Sequence, residues 1–237
     1  RSMGMVMGVG EGDQPLYSSM LLSMKVDDAE KYLDEYLETV SEMGKIMEDA
    51  DFPFKYEVES MQIDGRRGLK LAMDMEGMFG QQEIPQAEMM LKLMFGSDGT
   101  MNVFMAAADK NTVLGSYVSK DNLISALKAF GQDDAQLVDE PGVAKVMEML
   151  DKDAHFIGLW SPQGTLAFAS RLMGALNPAA AAEIPQLGAS PPVGFTAKLT
   201  PAGLETDMAV PSDVMKSVAA LVRQIMAAQA QAPPGAL

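Results

Sequence analysis

Cysteine is missing from all 237 residues. Its absence removes disulfides, thiolate metal sites, iron–sulfur clusters and cysteine nucleophiles together, and leaves the redox compartment open. Histidine occurs once, as His155, so a multi-histidine metal site is excluded. Aromatic residues make up 6%, too few to wall a deep glycosidase-type cleft. Basic residues are scarce: 18 Lys and Arg stand against 33 Asp and Glu, for a net charge of −15. Such a surface repels phosphate backbones and anionic lipid, and no run of Lys and Arg makes a local exception. Nucleic-acid partners are therefore not expected. No apolar run approaches the roughly 18–20 residues of a membrane-crossing helix. Residues 1–12 lack the apolar core of a signal peptide. Arg1-Ser2 reads as a cloning remnant, from which a native leader or anchor could have been trimmed, and a periplasmic or secreted setting is slightly favoured over the cytoplasm.

What is present is an ordinary globular balance, 48% hydrophobic and 22% charged, on a chain long enough to bury a core unaided. Ala29, Tyr32, Leu33, Tyr36, Leu37, Val40, Met43 and Met47 recur at three-and-four spacing and predict a helix from Asp27 to Asp49. Asp27 and Glu30 resemble a capping box at its start. Alternation from Leu16 to Val26 predicts a half-buried strand before it. Three hairpins follow: Phe54–Ile63 with Leu69–Met75, Thr100–Ala107 with Val113–Val118, and Val193–Thr200 with Leu204–Val210. In the third, Phe195, Ala197 and Leu199 form the expected dry face, and Thr196 and Lys198 the wet one. Helices are expected over Gln86–Phe95 and Asp121–Phe130, from Pro141, from Ser161-Pro162 to about Leu176, and from Ser212 to about Ala230. Asn177–Pro192 reads as a long loop.

The fold class is α+β, with antiparallel hairpins covered by amphipathic helices. Strand, helix, hairpin, helix describes residues 16–95 and again 154–230, which suggests a two-fold repeat and a fragment of a longer repetitive protein. The expected organisation is a flexible lead over 1–15, a first α+β unit over 16–150 with an extra hairpin and helices, a second over 151–230, and a disordered tail over 231–237.

Methionine, at 22 residues, is the compositional oddity. Met73 and Met75 alternate, and Met20 and Met24, like Met101 and Met105, share strand faces marked as buried by neighbouring Leu, Val and Phe. Core filling is the expected role for these. Met3, Met5 and Met7 have no evident core to join, and thioether clusters select soft Cu(I). Without Cys or a nearby His the copper signal is weak. Residues 27–51 carry ten acids against Lys31 and Lys45, with Asp34, Glu38 and Glu42 four apart. A solvated helix face is preferred there over a docking site for a basic partner. Gly8, Gly10 and Gly12 fail as a dinucleotide loop, because Asp13 stands where glycine is needed and a strand follows. Asp109-Lys110-Asn111 fails as a calcium loop, because Lys120 occupies the position of the bidentate glutamate. His155 is expected as a structural residue at the start of a buried strand, and Ser161 as a helix cap. Glu57 with Glu59, and Asp74 and Glu205 on wet faces, are the remaining carboxylates for acid–base work.

No catalytic, cofactor-binding or metal residue is assigned on these grounds, and no cofactor is expected. The expected function is a non-enzymatic interaction or scaffold module of a larger bacterial envelope or secreted protein, with a protein partner. A carrier of a hydrophobic or lipid-like ligand is the first alternative, and a carboxylate-based hydrolase the second.

Overall fold

An Asp-Gly pair sets the first hairpin. Asp64 and Gly65 have φ of 52° and 73°, the mirror-image two-residue turn whose twist suits antiparallel strands. The computed structural model describes residues 2–8, 12, 14–50, 52, 55–75, 87–96, 99–132, 137, 140–182, 184 and 187–231. Phe54 and Gly10 lie outside them. The chain divides into two compact units, residues 1–132 and 133–237. The mixed α+β class is as expected, with antiparallel sheets of six and three strands.

The first unit runs β1 (Ser2–Met7), a 3₁₀ turn (Leu16–Ser19), β2 (Met20–Lys25), α1 (Ala29–Asp49), β3 (Tyr56–Ile63), β4 (Arg66–Asp74), α2 (Ala87–Phe95), β5 (Thr100–Asp109), β6 (Thr112–Tyr117) and α3 (Lys120–Ala129). Its sheet has the order β1-β2-β6-β5-β4-β3. Residues 2–7, expected within a flexible lead, instead form β1, paired antiparallel with β2 from Ser2–Lys25 to Met7–Met20. Backbone pairing rather than burial holds them, so the alternation of Met3, Met5 and Met7 enters no core that would mark the segment as a strand. Residues 16–19 turn before the strand, which starts at Met20. The cap of α1 is Asp28, one residue later than read, with its carboxylate accepting from the Lys31 N–H at 3.0 Å.

The sheet is covered on both faces, whereas the hairpins alone suggested one wet side. On one face Leu33 and Ala29 of α1 pack against Leu69, Leu71, Val103, Met105 and Val113. On the other, Leu123 and Leu127 of α3 pack against Ile63, Phe104, Ala106, Ala108 and Leu114. Burial of both sides of β5 and β6 makes their pattern nearly continuous.

The second unit holds α4 (Pro141–Met147), β7 (Phe156–Trp160), α5 (Pro162–Leu176), α6 (Pro178–Ala182), β8 (Val193–Thr200), β9 (Gly203–Ala209) and α7 (Ser212–Gln231). The division falls after residue 132, where the sequence set it after 150; Val146 of α4 and Leu150, beyond its end, pack with Ala209 of β9. Part of the expected loop 177–192 is helical as α6, and α7 extends to Gln231; residues 232–237 lie outside those described. Neither the order of elements, which α6 interrupts in the second unit, nor the strand pairing matches the expected two-fold repeat. β7 pairs directly with the β8–β9 hairpin, whereas β2 is separated from β3–β4 by β6 and β5.

Candidate functional site

The second sheet exposes the face that its alternation marks as dry. Phe156, Trp160, Phe195, Leu199, Leu204 and Met208 share one side by register. They remain between 38% and 72% exposed. The opposite side carries Thr196, 3% exposed, and Ala209, 5% exposed, toward the α4 cluster. The expectation for this hairpin is thus inverted, because the helix that packs on it takes the side of the smaller residues. Gly158 stands opposite Phe195, whose ring lies over it where a Cβ would meet Cζ at 2.2 Å. Phe156 and Phe195 sit with ring centroids 5.6 Å apart, and the chain's single Trp is fixed by its indole N–H donating to Thr165 Oγ1 at 2.6 Å. The result is an exposed patch centred on aromatic side chains, on a sheet whose outer strands are β7 and β9.

In the first unit, a cleft of about 760 Å³ opens between the C-terminal half of α1 and the edge strand β3. Val40, Met47, Phe52, Tyr56 and Val58 line it together with Lys45, Lys55, Lys70, Glu48, Glu57 and Glu59, so its wall is of mixed charge and apolar character. Glu57 and Glu59 do share a concave site, two residues apart on one strand, but Lys70 neutralises Glu59 at 3.8 Å. Asp74 and Glu205 belong to different units, and Glu205 Oε1 accepts from Thr200 Oγ1 at 3.3 Å. The Tyr56 hydroxyl is buried without a hydrogen-bond partner among the described residues, and burial pushes the phenol above its ordinary range. Tyr36, on the facing side of α1, is raised by burial first and then by Tyr32, Tyr117 and Tyr56.

No protein-family model, no curated protein and no solved structure matches the chain. Its function must be read from its own surfaces.

The remaining sequence candidates fall as follows. Met24, Met73, Met101 and Met105 pack in the α1 core as expected, whereas Met3, Met5 and Met7 are 73%, 59% and 62% exposed on β1. Asp34 on the acidic face of α1 pairs with Arg67 of β4, with Arg67 Nη1 at 3.1 Å from Oδ2, and Glu35 with Lys31 at 3.4 Å. His155 is exposed just ahead of β7, not buried in it. Its Nδ1 accepts from the Leu199 N–H at 3.0 Å, so the ring caps the β7–β8 ladder beyond the last backbone pair. Ser161 caps α5 as expected, accepting from the Gly164 N–H at 3.0 Å. Asp109 ends β5 beside the hairpin turn, and its carboxylate accepts from the Asn111 N–H at 2.8 Å. The Gly8 N–H donates to the Ser19 carbonyl at 3.3 Å, and the next regular element among the described residues is the 3₁₀ turn at Leu16–Ser19. Among the described residues no group of three His, Asp or Glu converges, and no helix is long and apolar enough to cross a membrane. Sequence reading missed the bare sheet face, because alternation reports which side is apolar and not whether anything covers it.

Proposed function

We propose that the chain is a non-enzymatic interaction module whose docking face is the apolar side of the second sheet, and that its occupant is α7 of a second copy. The observation that carries the reading is the exposed set Phe156, Trp160, Phe195, Leu199, Leu204 and Met208. It amounts to roughly 700 Å² of apolar surface, taking aromatic side chains at about 150–250 Å² each, above what monomers ordinarily expose. A matching element lies in the same chain. On α7, Met215, Val218, Val222 and Met226 form one stripe at helical spacing and are 42% to 64% exposed. Three strands span about 14 Å, the width that one helix of about 10–12 Å covers. Reciprocal exchange of two helices over two sheets would bury more than the roughly 1,200 Å² a specific interface needs. Aromatic residues at its centre suit an interface core.

Light scattering coupled to size exclusion, run over a wide concentration range, tests this. A dimer is expected, with Leu204→Glu and Val222→Glu each monomeric at unchanged circular dichroism. Both side chains are exposed, so neither substitution disturbs the monomer's core. A wild-type chain that stays monomeric at every concentration overturns the reading.

The cleft beside Tyr56 supports a second reading, as carrier of a hydrophobic ligand, because its volume falls in the range of small-molecule sites. Native mass spectrometry of the purified protein tests it: added mass supports a carrier, and a clean apo species opposes it.

A further inference from the structure

We propose that Met5, Met7 and Met20 form a three-thioether site for one soft monovalent cation, Cu(I). The pairing of β1 with β2 sets Met7 opposite Met20, Met5 opposite Leu22 and Met3 opposite Met24. Strand alternation puts all six on one face. Directly opposed residues hold their Cβ atoms about 4.5–5.5 Å apart, and Met5 precedes Met7 by about 6.5–7 Å along the strand. Methionine's three rotatable bonds let the sulfurs close that triangle around one ion. The choice of these three follows from what each sulfur is doing. Met24 packs in the α1 core, and its sulfur accepts the Tyr32 hydroxyl at 3.6 Å. Met20 is half-buried, while Met5 and Met7 are 59% and 62% exposed. Met3, 73% exposed at the far end of the strand, lies beyond the triangle.

The chemistry of the donors selects the ion. Neutral thioethers bind soft Cu(I) or Ag(I) and hold hard divalent cations poorly. The nearest strand cation, Lys25, alternates to the opposite face, and its ammonium donates to Thr112 Oγ1 at 2.8 Å. The net charge of −15 attracts cations to the surface in general. A thioether carries no proton to lose, so affinity at this site is flat between about pH 5 and pH 8, where imidazole ligands would titrate.

The test uses Ag(I), a redox-inert stand-in, added in chloride-free buffer to the full chain labelled at the methionine methyl groups. One equivalent should move the Met5, Met7 and Met20 methyl resonances and leave Met101 and Met105 in place. Cu(I), kept reduced by ascorbate, should compete for the same site. Met7→Leu and Met5→Leu keep the volume and should each weaken binding more than about tenfold, since even loss of an outer-shell partner costs that much. Met73→Leu should change nothing. Shifts spread over all exposed methionines, binding indifferent to Met7→Leu, or affinity that falls steeply with acid or salt would each overturn the proposal.

Discussion

Met3, Met5, Met7, Met208 and Met226 are all more than half exposed, whereas Met105 is 3% exposed. Under limited peroxide the first group should become sulfoxides before Met105 reacts, an order that peptide mass spectrometry reads directly. Glycine positions are equally unequal. A Cβ on Gly68 would lie 2.6 Å from the Met105 carbonyl oxygen and 2.8 Å from Ile63 Cδ1, while one on Gly4 meets nothing within 4 Å. Gly68→Ala should cost about 1–3 kcal/mol by overpacking, with Gly4→Ala close to neutral, measured as shifts in the urea midpoint. Among the acids, Asp109 is held below the usual carboxylate range by the Thr112 side chain, then by the Asn111 N–H. A folded-state value below the unfolded one means stability that is present above the unfolded value of about 3.9 and lost as pH falls through the folded value. Asp109→Asn should therefore lower stability at neutral pH and flatten its decline below about pH 4, followed by denaturation at several pH values.

At the scale of elements, α1 shows how pattern becomes structure. Its apolar stripe was legible because Leu33, Tyr36, Leu37 and Val40 all turn to the sheet, and Leu33 is fully buried. Leu33→Ala should cost about 2–5 kcal/mol, through lost burial and a cavity beneath the helix. Removing the cap with Asp28→Ala should cost about 1 kcal/mol, and both effects are measurable by thermal unfolding. The first hairpin was legible but not the length of its turn: alternation started the second arm at Leu69, whereas only Asp64-Gly65 turn and Arg66–Gly68 already pair with β3. β1 was not, because Met3, Met5 and Met7 alternate with Gly4 and Val6 without entering a core. Its existence depends on a partner strand that begins only after twelve intervening residues, 8–19.

For the molecule as a whole, the first unit contains both of its cores within residues 1–132. That fragment should fold alone with one cooperative transition by circular dichroism. What residues 1–237 settled by themselves was the α+β class, the positions of most helices and hairpins, and the lack of cysteine, which excludes a large body of chemistry. These follow from local periodicity and turn stereochemistry, properties of neighbouring residues. Tertiary structure decided which sheet faces are covered. It put α1 and α3 on both sides of the first sheet, and it left Phe156, Trp160 and Met208 of the second in solvent. It also placed Met20 opposite Met7. Alternation along a strand names an apolar side, but the element that buries it, or leaves it open for a partner, is fixed by contacts between residues far apart in the chain.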